Sequence, residues 1–319
     1  VRIFNTKVLT AALLLLSAAS LFVGVREIRP QDLFRLSDSQ LQVLWVSRVP
    51  RLISLIVAGI SMSVVGLIMQ QISRNKFVSP TTGGTDDAAR LGILVSMLLF
   101  GSTGPMAKML IAFAFALAGT FLFMKLLDRI RLKDAVLIPL VGLMFGNMIS
   151  SLTTFLAYKH DLIQSLSSWL QGSFTLVMSG RYELLYLSIP LVAISYIYAD
   201  KFTISGMGEE FAVNLGLNYK QVVHIGLILV SLVSVVVMIT VGTIPFLGLV
   251  IPNLVSILHG DHLKKSLGHT ALLGAVFILG CDLLSRVVIY PYEIPIGLTV
   301  GVVGGGIFLY LLLRRRVYE

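Results

Sequence analysis

The sequence predicts an all-α, polytopic membrane protein of about ten transmembrane helices, and three observations lead there. Of the 319 residues 56% are hydrophobic, only 13% are charged, and the apolar residues gather into long runs separated by short polar connections. A soluble domain carries roughly a quarter of charged residues, whereas a helix needs about 20 consecutive apolar residues to cross hydrocarbon. Backbone groups in lipid must be bonded within their own segment, so each run is read as a helix. Residues 1–319 are read as one transmembrane domain.

The first run, 8–25, follows Arg2 and Lys7 in the manner of a signal peptide. No small-residue cleavage site follows and the chain stays apolar beyond, so it is read as the first span. Further spans are placed at 52–72, 88–101, 105–127, 135–158, 182–199, 221–243, 246–258, 267–290 and 296–313. The third and eighth are too short to cross roughly 30 Å of hydrocarbon alone, and Pro245 and Pro252 bracket the eighth. Short or proline-interrupted helices at comparable places in two halves point to a transport path.

Connections carry the remaining information. With both termini inside, the inner connections hold fifteen Lys and Arg and the outer ones nine, five of them in the single stretch 26–51. Basic residues favour the cytoplasmic side, which supports that orientation. A second outer connection, 159–180, contains an amphipathic stretch at 162–170 that suits the membrane surface, with Trp169 at the interface. On the inside, 208–215 reads as a short helix. Glu209 and Glu210 in its first turn favour the helix dipole, and Gly216 ends it. Such a helix suits either docking of a soluble partner or an ordinary solvated loop, and these residues alone do not choose.

Several classes of chemistry are excluded or weakened. The single cysteine, Cys281, permits no internal disulfide and no cysteine metal cluster. The sequence holds no phosphate-binding Gly-x-x-x-x-Gly-Lys-Ser/Thr loop, no Gly-x-Ser-x-Gly elbow and no His-Glu-x-x-His pair, so the chain is read as no enzyme. His259-Gly-Asp-His262 resembles a metal cluster but reads better as a solvated turn beside Lys264 and Lys265. The net charge of +9 is spread through the connections rather than gathered beside stacking aromatics, which speaks for topology and against nucleic acid. Only Asp282 lies clearly within a span, with Arg286 one turn away, where the two can pair. An ion-coupled secondary carrier for a hydrophobic metabolite, the alternative reading, would bury more acids near mid-membrane. Gly142 and Gly146, and Gly297, Gly301 and the run 304–306, form small-residue faces read as helix packing.

The motifs themselves resemble a known family. Gly242-Thr-Ile-Pro-Phe-Leu-Gly-Leu-Val-Ile-Pro252, Gly260-Asp-His262 and Glu293-Ile-Pro-Ile-Gly297 are similar to the signatures of FecCD-type permeases of iron-siderophore and vitamin B12 ABC importers. Arg48-Val-Pro-Arg51, Arg74-Asn75, and Gly208-Glu-Glu210 with Leu215-Gly-Leu217 match the same family in order and spacing across almost the whole chain. Residues 77–92 look more like the branch serving catecholate siderophores such as petrobactin or anguibactin than the B12 branch.

The resemblance implies a type II ABC importer permease fold with an internal inverted repeat, in the cytoplasmic (inner) membrane of a bacterium. It implies a second permease, identical or homologous, two ATPase subunits inside, a substrate-binding protein outside, and a ferric siderophore as substrate. This chain would bind no cofactor; ATP and Mg would sit on the ATPase. Arg48, Arg51 and Arg286 would receive acidic residues of the binding protein, as outward guanidinium forks can. Asn75 and Phe77 would lie in a cytoplasmic gate, and Gly208, Glu209, Glu210, Leu215 and Gly216 in the loop that contacts the ATPase. The chain departs from the family's pattern in three places. Lys76 and Phe77 replace Pro-Leu of the gate motif, Asn253 stands where a histidine usually follows Pro252, and Ser256 where an arginine is frequent.

Overall fold

The computed structural model describes residues 5–24, 37–101, 103–129, 137–175, 177, 182–260 and 262–315. The charges predicted at Arg26, Glu27, Arg29, Asp32, Arg35, Arg131, Lys133 and Arg181, and Asp261 of the histidine turn, lie outside them. The described chain is helical throughout, without strands. In order, the helices are α1 (Thr6–Phe22), α2 (Asp38–Ile72), α3 (Thr85–Leu99), α4 (Pro105–Arg129), α5 (Leu137–Lys159), α6 (Ile163–Leu170), α7 (Ser188–Ile197), α8 (Ala199–Gly206), α9 (Glu209–Asn214), α10 (Tyr219–Val241), α11 (Leu247–His259), α12 (Leu263–Val287) and α13 (Ile296–Arg315).

Each of the ten apolar runs is largely helical over its described residues. By length and apolarity six helices, α2, α4, α5, α10, α12 and α13, suffice to cross a membrane, and a seventh does if α7 and α8 count as one span bent by 61°. α1 and α11 are apolar but shorter, and α3 has 15 residues with Asp86, Asp87 and Arg90 in its first half. The largest difference from expectation is the start of α2. The stretch 38–51, read as part of a polar connection, is helical and continuous with the second span. Ser37 caps it through a reciprocal capping box with Gln40, and a π-helical segment, Leu44–Arg48, leads into Val49 and Pro50.

α2 and α10 form the centre, with 72% and 78% of their most apolar stretches buried, against 17% for α13. α2 packs on α12, α11 and α10, while α3 packs on α4 and α5 and α1 lies along α12. In lipid, apolar burial does not drive helices together, so close approach of backbones carries the packing. Gly59 meets the backbone of Gly274 and Ala275 on α12, and Gly66 meets the backbone of Gly248 on α11, with no room for a Cβ at either place. The predicted faces behave in the same way: Gly142 and Gly146 pack on the turn at Thr82 to Gly84, and Gly297 on Gly172. Gly304 approaches Phe246, while Gly306 faces open space.

The two halves share a backbone feature. The half-length helices α3 and α11 each follow a central long helix and a proline turn. Each starts from a residue in the left-handed conformation: Gly84 at φ 70°, ψ 0° and Phe246 at φ 61°, ψ −19°. Glycine adopts this at no steric cost, whereas Phe246 is held there by its surroundings.

Candidate functional site

Four groups of residues are positioned by this framework. At the predicted outer end, two of the three arginines, Arg48 and Arg286, meet the end of α1, whose last carbonyls have no partner within their own helix. Arg48 donates through Nη1 to the carbonyls of Leu21 and Phe22 (3.1 Å to the latter). Arg286 donates through Nη1 to the carbonyls of Ser20 and Val23, both at 3.1 Å, and through Nη2 to Ser20 Oγ. Cations at the C-terminal end of a helix also suit its dipole. Arg286 pairs with Asp282 one turn before it, as its spacing predicts.

Arg51 completes the network from α2. Its Nη2 lies 2.7 Å from Asp282 Oδ1 and its Nη1 2.8 Å from Glu293 Oε2. Glu293 in turn accepts from Thr175 Oγ1 at 2.8 Å. Burial pushes the Glu293 carboxyl up, but the charge of Arg51, its hydrogen bond and that of Thr175 outweigh this and hold it below the usual glutamate value. Arg48, Arg51 and Arg286 are 7%, 9% and 5% exposed. The expected outward-facing guanidinium forks are thus buried and engaged with groups of this chain. Sequence reasoning placed Asp282 beside Arg286 but missed Arg51 as its second partner and Glu293 as the other partner of Arg51. Only the shared Glu-x-Pro motif marked Glu293 at all.

At the predicted inner end, α2 stops at Ile72 and the chain turns through Arg74, which is left-handed at φ 46°. Asn75 Oδ1 accepts from the backbone N–H of Phe77 at 2.9 Å, closing a local turn that presents Phe77, 51% exposed. The Phe77 ring meets Phe308 of α13 edge-on at 6.1 Å, and Phe308 lies 6.2 Å from Phe246. The three departures from the family pattern converge here. Lys76 Nζ donates to Ser256 Oγ at 2.8 Å, and Asn253 Nδ2 donates to the Lys76 carbonyl at 2.7 Å and to the Leu249 carbonyl at 2.8 Å. Gln70 donates to the same Leu249 carbonyl at 3.1 Å.

Beside this turn stands the loop around α9. Gly208, at φ 118°, opens the helix, and Gly216, at φ 77°, ends it. The Gly216 N–H reaches the Val213 carbonyl and the Leu217 N–H that of Ala212, a Schellman arrangement that requires the left-handed glycine. Glu209 and Glu210 are exposed, and so are Met207, Phe211, Val213 and Leu215, while Ala212 alone in the helix is buried. The loop touches the end of α2: a Cβ on Gly208 would meet the Arg74 guanidinium at 3.2 Å, and Gly206 packs on Gln71.

Between the two ends, α5 exposes a polar face. Asn147, Ser150, Ser151, Thr154 and Tyr158, with Phe155 among them, line an open cavity of about 570 Å³. They recur at helical spacing, and polar side chains on a span face water or partner protein rather than lipid. Among the described residues no three His, Cys, Asp or Glu stand together to hold a metal. His259 stacks on His269 with ring centroids 4.0 Å apart, and His269 Nε2 lies 3.0 Å from Thr6 Oγ1.

Comparison with known proteins gives one answer. Residues 12–314 match the model of the FecCD transport family. The chain is 66% identical over 306 residues to the petrobactin import system permease protein YclN of Bacillus subtilis, covering 96% of this chain and 97% of that protein. It is 43% identical to the ferric-anguibactin transport system permease protein FatD of Vibrio anguillarum, over 94% of this chain and 95% of that protein. In fold it is similar to a metal-chelate-type ABC transporter solved in an inward-facing conformation, with TM-score 0.86, 22% identity, and 97% and 98% of the two chains covered.

Proposed function

Because this chain belongs to the FecCD transport family, we propose that it is the membrane-spanning permease subunit of an ABC importer that moves a ferric siderophore into the cell. The likeness to permeases named for petrobactin and anguibactin supports a chelate of that kind as cargo. ATP hydrolysis belongs to a partner chain.

One observation carries the mechanism: the exposed loop around α9 touches the end of α2, where the turn bearing Phe77 begins. Met207, Phe211, Val213 and Leu215 form an apolar patch rimmed by Glu209 and Glu210, the makeup of a protein interface. We assign it to the ATPase. A displacement of this loop reaches Arg74 through Gly208 and Gln71 through Gly206, and so moves the turn at 75–77. Asn75 shapes that turn and Phe77 obstructs the path, with Phe246 and Phe308 behind it. Alternating access then follows from small shifts of packed helices about α2. The polar face of α5 lines the route, and a second permease encloses it.

For the outer face, we assign the arginines a framing role in binding-protein docking. Arg48 and Arg286 fasten α1, and Arg51 joins α2 to Asp282 and Glu293. Acidic residues of the binding protein meet the positive edge of this frame, which holds three guanidiniums against two carboxylates. Both termini then lie in the cytoplasm and the protein in the inner membrane.

The test is uptake of radiolabelled ferric petrobactin by cells expressing the complete transporter. Uptake is expected to stop when the partner ATPase is inactivated and to survive an ionophore. The opposite pattern would establish an ion-coupled carrier.

A further inference from the structure

We propose that Arg90 forms an oxyanion subsite for an anionic ferric chelate in an open cavity beside α6, an inference that rests on the import reading above. Arg90 lies on the half-length helix α3. An arginine on a helix packed among apolar spans is costly unless it faces a cavity or a ligand. Its side chain lines a cavity of about 490 Å³ together with Gln164, Ser167, Ser168, Gln171 and Thr243. The cavity sits where α6 meets the segment leading into α11, a junction held by Thr243, whose N–H and Oγ1 both donate to the Leu170 carbonyl at 3.0 and 3.1 Å.

The guanidinium has capacity to spare. Asp87 is 3.9 Å away, Nη1 to Oδ1, beyond hydrogen-bond length. Asp86 is turned to Ser234, whose Oγ donates to it at 2.9 Å. Arg90 Nε is buried and has no hydrogen-bond partner among the described residues. A guanidinium offers five donors in a planar fork that matches carboxylate and catecholate oxygens. The hydroxyls of Ser167 and Ser168 and the amides of Gln164 and Gln171 can take further oxygens of the same ligand. A lipid phosphate shares this chemistry, but Leu170 is the one apolar residue in the lining and gives acyl chains no wall. The occupant that fits is the chelate.

The experiment uses the full transporter with its ATPase and binding protein in lipid vesicles, with ferric petrobactin as probe. Vesicles of phosphatidylcholine alone are compared with vesicles containing phosphatidylglycerol. Arg90→Gln is expected to lower iron uptake about tenfold, the loss of one charge-assisted contact, in both lipids. Arg90→Lys should recover part of it, and stimulation of ATP hydrolysis by the loaded binding protein should persist in both variants. Wild-type uptake by Arg90→Gln would overturn the proposal. So would a defect confined to phosphatidylglycerol vesicles, which would assign the site to a lipid headgroup. Should Arg90→Gln not fold, Gln164→Ala with Ser168→Ala tests the same cavity: reduced uptake with retained stimulation supports the subsite, and wild-type uptake refutes it. A wild-type complex that moves no ferric petrobactin at all would instead refute the import reading beneath it.

Discussion

Lys76 and Ser256 lie 180 positions apart in sequence and 2.8 Å apart in space, Nζ to Oγ. Asn253, one turn before Ser256, holds the carbonyl of the same lysine. Three departures from the family's pattern, unrelated when read along the chain, therefore form one contact. It ties the turn that carries Phe77 to the half-length helix α11. A proline at position 76 would have stiffened that turn through its ring; here side-chain hydrogen bonds do so.

Loosening this contact should open the inner end. A half-buried hydrogen bond contributes about 1 kcal/mol, so Lys76→Met should raise the labelling rate of a cysteine placed at Phe77 about fivefold in inside-out vesicles. Ser256→Ala should have a similar effect, and the double variant should add little beyond either alone. Additive effects would show that the two side chains act separately.

Removing the carboxylate at the outer end should be far more damaging. Asp282 is fully buried between Arg51 and Arg286, and leaving a buried charge without its partner costs about 3–5 kcal/mol. Asp282→Ala should markedly lower the melting temperature of the purified protein in detergent. Lys159→Ala, which alters an exposed side chain at the same predicted end, should leave it unchanged.

The outer network also sets a pH dependence. Because the folded protein holds Glu293 below the ordinary glutamate value of 4.5, the ionised carboxylate contributes stability that is complete above that value. This contribution is lost as pH falls toward the depressed value. Wild type should therefore exceed Glu293→Gln in thermal stability by a constant margin from pH 8 to about pH 5, and the margin should shrink only in stronger acid. A margin that grows on acidification would contradict the pairing with Arg51.

The helix crossing at Gly66 allows no side chain, since a Cβ would enter the backbone of Gly248. Gly66→Ala should cost about 1–3 kcal/mol by forcing the helices apart and should reduce the yield of folded protein. Gly306→Ala, in open space, should be silent or slightly stabilising by helix propensity.

Leu215 is 57% exposed and Phe211 49%, so changing them should spare the fold. Phe211→Asp with Leu215→Asp should abolish co-purification of the ATPase while the melting temperature stays within about 2 °C of wild type, as surface changes normally do.

The sequence by itself determined that the apolar runs are helices, though not the helical stretch 38–51, that they lie in a membrane, how the short helix at 209–214 is capped, and that Asp282 can reach Arg286. These depend on runs of apolar residues, on caps within three or four positions, and on the helical repeat, all local properties of a chain whose backbone must satisfy itself in lipid. The motifs further marked the family. Only the tertiary structure decided that Arg51 turns inward to Asp282 and Glu293, 231 and 242 positions away, that Arg48 and Arg286 close the end of α1, and that Lys76 finds Ser256. Each contact depends on how far one helix is rotated and tilted against another. In lipid that is set by where glycine backbones can touch, such as Gly66 on Gly248, and not by any pattern within a single helix.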